Sequence, residues 1–397
     1  MSRHPLTDHH LGRTAGLVGA AVGLAAAGTA IGVAVTRSAT SAVRAGQRAG
    51  EAGDDGRAVG DVPAAELRAQ DPLGLASRAA DRTALVRTDD GVLLSVEEVG
   101  PTDAPLTVVL VHGYALSMAS WTFQRRDLGA ELATANGHRP RARLVSYDQR
   151  GHGSSGRGPA EHSTMEQLAA DLEAVLTTRV PRGPVVLVGH SMGGMTVLAL
   201  ARRRPELFGT RVVGAALVST SSGNLGDLDL GLPRVLTRVR TAIIPVAAWT
   251  MRQRPALAER TRRLAGGIVS AATWSLSFSS GDVDPALGRY VDAMIGGTPV
   301  DVIAEFYPAI AGLDAGEAIE PLRRVPTLVL TGDADKMIPK AHSERIVEQL
   351  EAGGAGTVRF VVVPDAGHLV LLEKPAEVTA ALSELLRAVG AAGADRP

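Results

Sequence analysis

"PVVLVGHSMGG", residues 184–194, carries a short apolar run into a glycine, a histidine, a serine and two further glycines. Val185 to Val188 are apolar without alternation, which predicts a strand buried on both faces. The stretch that follows, "MTVLALARRRPELF", has the composition of a helix. Ser191 therefore falls where a strand stops and a helix starts. A turn this tight brings together the residues two before and two after the serine, which only small residues permit. Gly189 and Gly193 meet that need. The pattern G-x-S-x-G is short, and its flanking strand and helix are what give it meaning as a nucleophile elbow.

Similar apolar runs lie on either side: "LTVVLVHG", "ARLVSYD", "VVGAALVS", "PTLVLTG" and "VRFVVVPD". Several are separated by helical patterns such as "STMEQLAADLEAVLTTRV", whose Ser163 and Glu166 have the spacing of a capping box. Ahead of them, "TALVRT" and "VLLSVEEV" flank Asp89-Asp90-Gly91, the signature of an antiparallel hairpin. Strands alternating with helices predict an α/β fold with a mostly parallel sheet sandwiched by helices. In such sheets ligands bind at the carboxyl ends of the strands. Asp335, after "PTLVLTG", and His368, after "VRFVVVPD", sit there along with Ser191, and Ser, Asp, His is the chain order of a triad on this architecture.

With these residues in view, the sequence resembles the α/β-hydrolase fold family, in its serine-nucleophile, esterase- and lipase-like branch, over about residues 82–390. The resemblance rests on "VHGYALS" (111–117), "YDQRGHGSS" (147–155), "GHSMGG" (189–194), "GDADKMIP" (332–339) and "GHLVLLEKP" (367–375) together. It implies an eight-stranded sheet and gives Ser191 the role of nucleophile, His368 that of general base and Asp335 that of the acid orienting the imidazole. It also implies an oxyanion hole made by the backbone N–H groups of Met192 and Tyr114; the Tyr114 ring could equally line the pocket. Asp333 is the rival for the acid role, but the spacing Gly332, Asp335, Pro339 favours Asp335. His112, His152 and His190 fall in motifs where the family packs histidine structurally.

The implied activity is hydrolysis of a carboxylic ester or lipid-like acyl substrate through an acyl-enzyme. Haloperoxidase or perhydrolase, C–C hydrolase, aminopeptidase and acyltransferase chemistries share the same three residues, and a non-catalytic binding module is the reading from another class. Ser191 disfavours the epoxide hydrolase and dehalogenase branches, which use aspartate at that position.

Composition narrows the alternatives. With 45% hydrophobic residues the chain can bury a large core, and a net charge of −1 provides no basic field for nucleic acid. Cysteine is absent, which removes disulfides, thiolate nucleophiles and cysteine metal sites. The histidines form no H-x-x-x-H or H-E-x-x-H pair, and no phosphate-binding glycine loop is present, so neither metal nor cofactor is expected.

From Thr14 to Val35 no charge interrupts about 22 residues, which as a helix would extend about 33 Å. Residues 1–36 are accordingly expected to hold an N-terminal hydrophobic helix and membrane anchor, and the flanking arginines lean toward a cytoplasmic catalytic part. A cleaved signal and a soluble helix are the alternatives. Residues 37–81 read as a linker, 82–221 and 311–397 as the hydrolase core, and 222–310 as a helical cap. Within the cap, Ile243, Ile244, Trp249, Trp274 and Phe278 are candidates to line an apolar acyl pocket beneath an arginine-rich outer face, and ordinary helix packing explains them equally well. Nothing in the sequence fixes an oligomeric state.

Overall fold

The computed structural model describes residues 73–75, 80–134, 140–225, 253, 273–280, 283–354 and 357–394. Every strand expected from the sequence is present: β1 (Arg82–Arg87), β2 (Leu93–Val99), β3 (Leu106–Val111), β4 (Ala142–Tyr147), β5 (Val185–His190), β6 (Val212–Val218), β7 (Thr327–Gly332) and β8 (Val358–Val363). They form one eight-stranded sheet in the order β1-β2-β4-β3-β5-β6-β7-β8. The β1–β2 and β2–β4 pairs are antiparallel, and the remaining pairs are parallel.

Burial follows the apolar pattern. β3, β5 and β7 are buried at every residue, whereas β2 alternates and the edge strands β1 and β8 are partly exposed. Full burial requires cover on both faces. The described long helices are α1 (Thr122–Leu132), α2 (Met165–Arg179), α3 (Met192–Arg203), α4 (Pro285–Gly297), α5 (Val300–Ala311), α6 (Lys340–Glu351) and α7 (Pro375–Ala394), and the cover comes from α1, α2, α3, α6 and α7, which pack against the strands. Among these, α1 packs against α7 and β4, while α2 packs against α3, and α3 against β5.

The start of α2 differs from the expected capping box. A 3-10 turn, Ala160–His162, precedes it and leaves Ser163 at that turn's end. Thr164 takes the N-cap position instead, its backbone extended and its hydroxyl accepting the Gln167 N–H at 3.1 Å. The cap needs an extended residue immediately before the first helical one, and the preceding turn denies that conformation to Ser163.

Clustering of contacts divides the chain into two units. One comprises Gly60–Leu228, Ser275–Thr298 and Pro308–Pro397, and it holds the whole sheet and every expected site residue. The other includes Asp229–Trp274 and Pro299–Tyr307. Ile243, Ile244 and Trp249 of the expected cap lie outside the described residues; Phe278 is fully buried.

The membrane-anchored localisation expected from the sequence is corrected, together with its single N-terminal span, its cytoplasmic lean and the membrane association through residues 14–35. Among the described residues no helix is long and apolar enough to cross a membrane. A span needs about 20 nearly uncharged residues, and the longest described helix, α7, carries Glu377, Glu384 and Arg387. Residues 14–35 themselves lie outside the described set.

Candidate active site

The parallel register aligns the carboxyl ends of neighbouring strands, with Gly189 of β5 opposite Val111 of β3 and Leu217 of β6. The residues just past those ends therefore converge above the centre of the sheet. Ser191 occupies the turn between β5 and α3 with φ +53° and ψ −120°, a conformation that costs a non-glycine residue of order 1–3 kcal/mol. The surroundings hold it there. Its N–H donates to Val218 O at 2.9 Å, and its carbonyl accepts from Gly194 N at 2.9 Å and Thr220 Oγ1 at 2.7 Å.

The flanking glycines are required by contact. A Cβ on Gly189 would meet the Gly193 carbonyl, and one on Gly193 would meet the carbonyls of Val111 and His112. All three contacts are backbone atoms, Gly193 in the first turn of α3, Val111 at the end of β3 and His112 just past it, so none can turn aside as a flexible side chain would. The elbow is thus locked into the β3 end as well as into β5.

Three side chains from well-separated parts of the chain meet at this turn. His368 Nε2 lies 3.0 Å from Ser191 Oγ, and His368 Nδ1 lies 2.9 Å from Asp335 Oδ2. All three are buried, and Ser191 keeps 8% of its surface exposed. The second carboxylate oxygen, Asp335 Oδ1, accepts the N–H groups of Met337 at 2.9 Å and Ile338 at 2.8 Å. Two oxygens with separate partners fix the carboxylate's plane, and the plane fixes the ring. Asp333 is exposed, and its carboxylate reaches only Ala366 N at 3.4 Å. It lies in the turn and does not meet His368.

Met192 is the first residue of α3 and fully buried. First-turn N–H groups have no intrahelical acceptor, and the helix dipole adds partial positive charge there. Tyr114 follows His112-Gly113 past the end of β3, and Gly113 lies against the Ser191 side chain, since a Cβ on it would stand 3.2 Å from Ser191 Cβ. The turn thus has candidate N–H donors on two sides.

The other nearby histidines have different surroundings. His112 Nδ1 is 2.7 Å from Gly113 O, and its Nε2 accepts Gln149 N–H at 2.8 Å. Burial pushes its pKa down to about 4. His190 and His152 are pushed down to about 3, chiefly by burial, with a neighbouring histidine adding to the effect in each case. These rings are neutral near pH 7 and serve packing and backbone hydrogen bonds: His190 Nε2 is 3.0 Å from His368 O.

Several supporting residues were not singled out from sequence. Asp148 accepts Met118 N–H at 2.7 Å and Ser154 N–H at 2.8 Å, so it ties two loops together. Glu373 accepts Gly367 N–H at 2.7 Å and Ser279 N–H at 3.0 Å, which pins the loop bearing His368. Both lie inside "YDQRGHGSS" and "GHLVLLEKP", and the signal available was an acidic residue at a fixed offset within each motif. Among the described residues no cluster of side chains is suited to hold a metal ion.

With this geometry established, comparison with known proteins identifies the class. A model of the family described as "Alpha/beta hydrolase family" matches residues 108–382. The chain belongs to that family and is a hydrolase. It is 29% identical over 345 residues to the epoxide hydrolase A of Mycobacterium tuberculosis, covering 75% of this chain and 95% of that one. It is 28% identical to a putative carbamate hydrolase, RutD, of Variovorax paradoxus, covering 76% and 98% of the two chains. Among solved structures it is similar to a thermophilic esterase from Thermogutta terrifontis, with 28% identity, a TM-score of 0.58 and coverage of 78% and 99%.

Proposed function

We propose that this hydrolase cleaves a carboxylic ester or lipid-like acyl substrate through an acyl-enzyme on Ser191. The observation that carries the reading is the hydrogen-bonded chain from Ser191 Oγ through His368 to Asp335, at 3.0 and 2.9 Å. In acylation, Ser191 Oγ bonds to the acyl carbon as its proton passes to His368 Nε2. The tetrahedral intermediate collapses with cleavage of the bond to the leaving alkoxide, which takes that proton from the imidazolium. Water then repeats the sequence on the acyl-enzyme and releases the acid. Asp335 holds the ring with its proton on Nδ1 and stabilises the imidazolium.

Negative charge develops on the acyl oxygen in each step, and the N–H groups of Met192 and Tyr114 are assigned to receive it. The similarity to the Thermogutta esterase favours an ester substrate. The similarity to an epoxide hydrolase carries less weight, because the residue at the elbow is a hydroxyl where that chemistry in this family uses a carboxylate. The division into linker 37–81, core 82–221 and 311–397, and cap 222–310 is part of the same proposal.

The test is fluorophosphonate labelling followed by a substrate screen. The native protein should be labelled at Ser191 and Ser191→Ala should not, and p-nitrophenyl esters of graded chain length should be turned over. Absence of labelling in the native protein would instead favour a binding module. Turnover of amides or peroxide-dependent chemistry with ester hydrolysis absent would move the assignment within the serine hydrolases.

A further inference from the structure

The two proposed oxyanion donors stand on different elements, Tyr114 on the loop after β3 and Met192 at the start of α3. A pair of donors stabilises a charge only if both are held at once to within a fraction of an ångström. One fully buried side chain touches both carriers. Gln149, just past β4, donates from its side-chain Nε2 to His112 O at 2.8 Å and accepts at Oε1 from Thr196 Oγ1 at 2.8 Å. Its amide orientation is forced chemically, because a backbone carbonyl can only accept and so must face the NH2 group.

On one side the connection runs through His112. The Gln149 backbone N–H donates to His112 Nε2 at 2.8 Å, which leaves the ring proton on Nδ1, and Nδ1–H donates to Gly113 O at 2.7 Å. The Gly113 carbonyl and the Tyr114 N–H belong to one planar peptide unit and point in opposite directions. Fixing the first aims the second. On the other side Thr196 lies one helical turn after Met192, and its hydroxyl, also 3.0 Å from Met192 O, acts on the first turn of α3 as a unit rather than on the peptide plane of the Met192 N–H, which is shared with Ser191 O. Gln149 thus spans from the peptide that presents one donor to the first turn of the helix that presents the other.

We propose that Gln149 is a positioning residue that couples the two halves of the oxyanion hole, Tyr114 through His112 and Met192 through Thr196. The inference rests on the reading of Ser191 as nucleophile with those two donors. A buried glutamine that merely satisfies its own hydrogen bonds would affect stability alone; a coupling residue affects the charged transition state more than the bound ester.

The experiment uses the full chain with Gln149→Met, which keeps the length and removes the amide, Thr196→Val, which keeps the shape and removes the hydroxyl, and the double variant. Gln149→Met should lower kcat about 10- to 100-fold with KM changed by less than about threefold. Its affinity for a trifluoromethyl ketone, which adds to the serine as a charged tetrahedral adduct, should fall by the same factor as kcat/KM. The double variant should lose less than the product of the single losses. Thr196→Val, which does not touch His112, should speed amide exchange across residues 112–116, measured by mass spectrometry in the Ser191→Ala background. Unchanged exchange there, or a lowered Tm with kcat and ketone affinity intact, would overturn the coupling. The exchange readout does not depend on turnover, whereas failure of the native protein to label with fluorophosphonate would count against the nucleophile reading itself.

Discussion

Replacing Asp335 with asparagine changes one atom of the proposed relay, and the structure dictates the outcome. Asp335 Oδ1 accepts two backbone N–H groups, at 2.9 and 2.8 Å, while Oδ2 faces His368 Nδ1 at 2.9 Å. An asparagine has one oxygen for these two places. Turning its NH2 toward Met337 and Ile338 would set donor against donor twice, at about 1–3 kcal/mol for each unsatisfied group. The oxygen therefore stays on the backbone side and the NH2 faces His368. Nδ1 must then accept, so the ring proton moves to Nε2 and points at Ser191 Oγ, 3.0 Å away. That nitrogen can no longer take the serine proton. A tautomer error of this kind costs about 10⁴ in kcat, or about 5.5 kcal/mol. Steady-state ester hydrolysis and the rate of fluorophosphonate labelling both measure it. An Asp335→Asn variant within about tenfold of the native kcat, with KM and fold intact, would refute the reasoning.

Asp333→Asn should leave kcat within about threefold of native, since its exposed carboxylate makes only one long contact; a loss as large as that of Asp335→Asn would exchange the roles of the two aspartates. Gly193→Ala drives a methyl into the Val111 and His112 carbonyls, and overpacking of about 1–3 kcal/mol should lower Tm by roughly 1–5 °C, readable by calorimetry. Asp90 is held well below the usual carboxylate range chiefly by its hydrogen bonds from Arg150, at 2.8 and 3.1 Å. Because its folded pKa is depressed, that stabilisation is full above the unfolded value of 3.8 and is lost as pH falls through the lower folded value. The stability gap between native protein and Asp90→Asn in urea titrations should accordingly narrow as the pH falls from about 4 toward 2; a gap that widens over that range would contradict the assignment.

The strands were legible because their signal is local. Runs such as Leu106–Val111 and Val185–His190 are apolar at every position, and burial on both faces is the only environment that suits them. Ser191 was legible for a related reason: the paired glycines at 189 and 193 encode a steric demand within five residues. Between Asp333 and Asp335 the spacing Gly332, Asp335, Pro339 already favoured Asp335, whereas the direction of each carboxylate was not legible, because it is set by the backbone N–H groups that each one meets.

The supporting network lay further from reach. Gln149, His112 and Thr196 sit on three elements separated by 37 and 47 residues, and no periodicity links a glutamine to a threonine at such a distance. The expectation of a membrane span came from an apolar tally over residues 14–35, and no described helix supports it.

By itself the chain determined which segments could be buried and which residue had to occupy the sharp turn, since hydrophobic periodicity and the space around a missing Cβ are properties of neighbours in sequence. The meeting of Asp335 with His368, the tautomer of His112 and the tie between the loop at 112–116 and α3 were decided only by the tertiary structure and its parallel register. That register brings the ends of β3, β5, β7 and β8 to one edge of the sheet, and hydrogen bonds of about 3 Å select among groups that only folding brings so close.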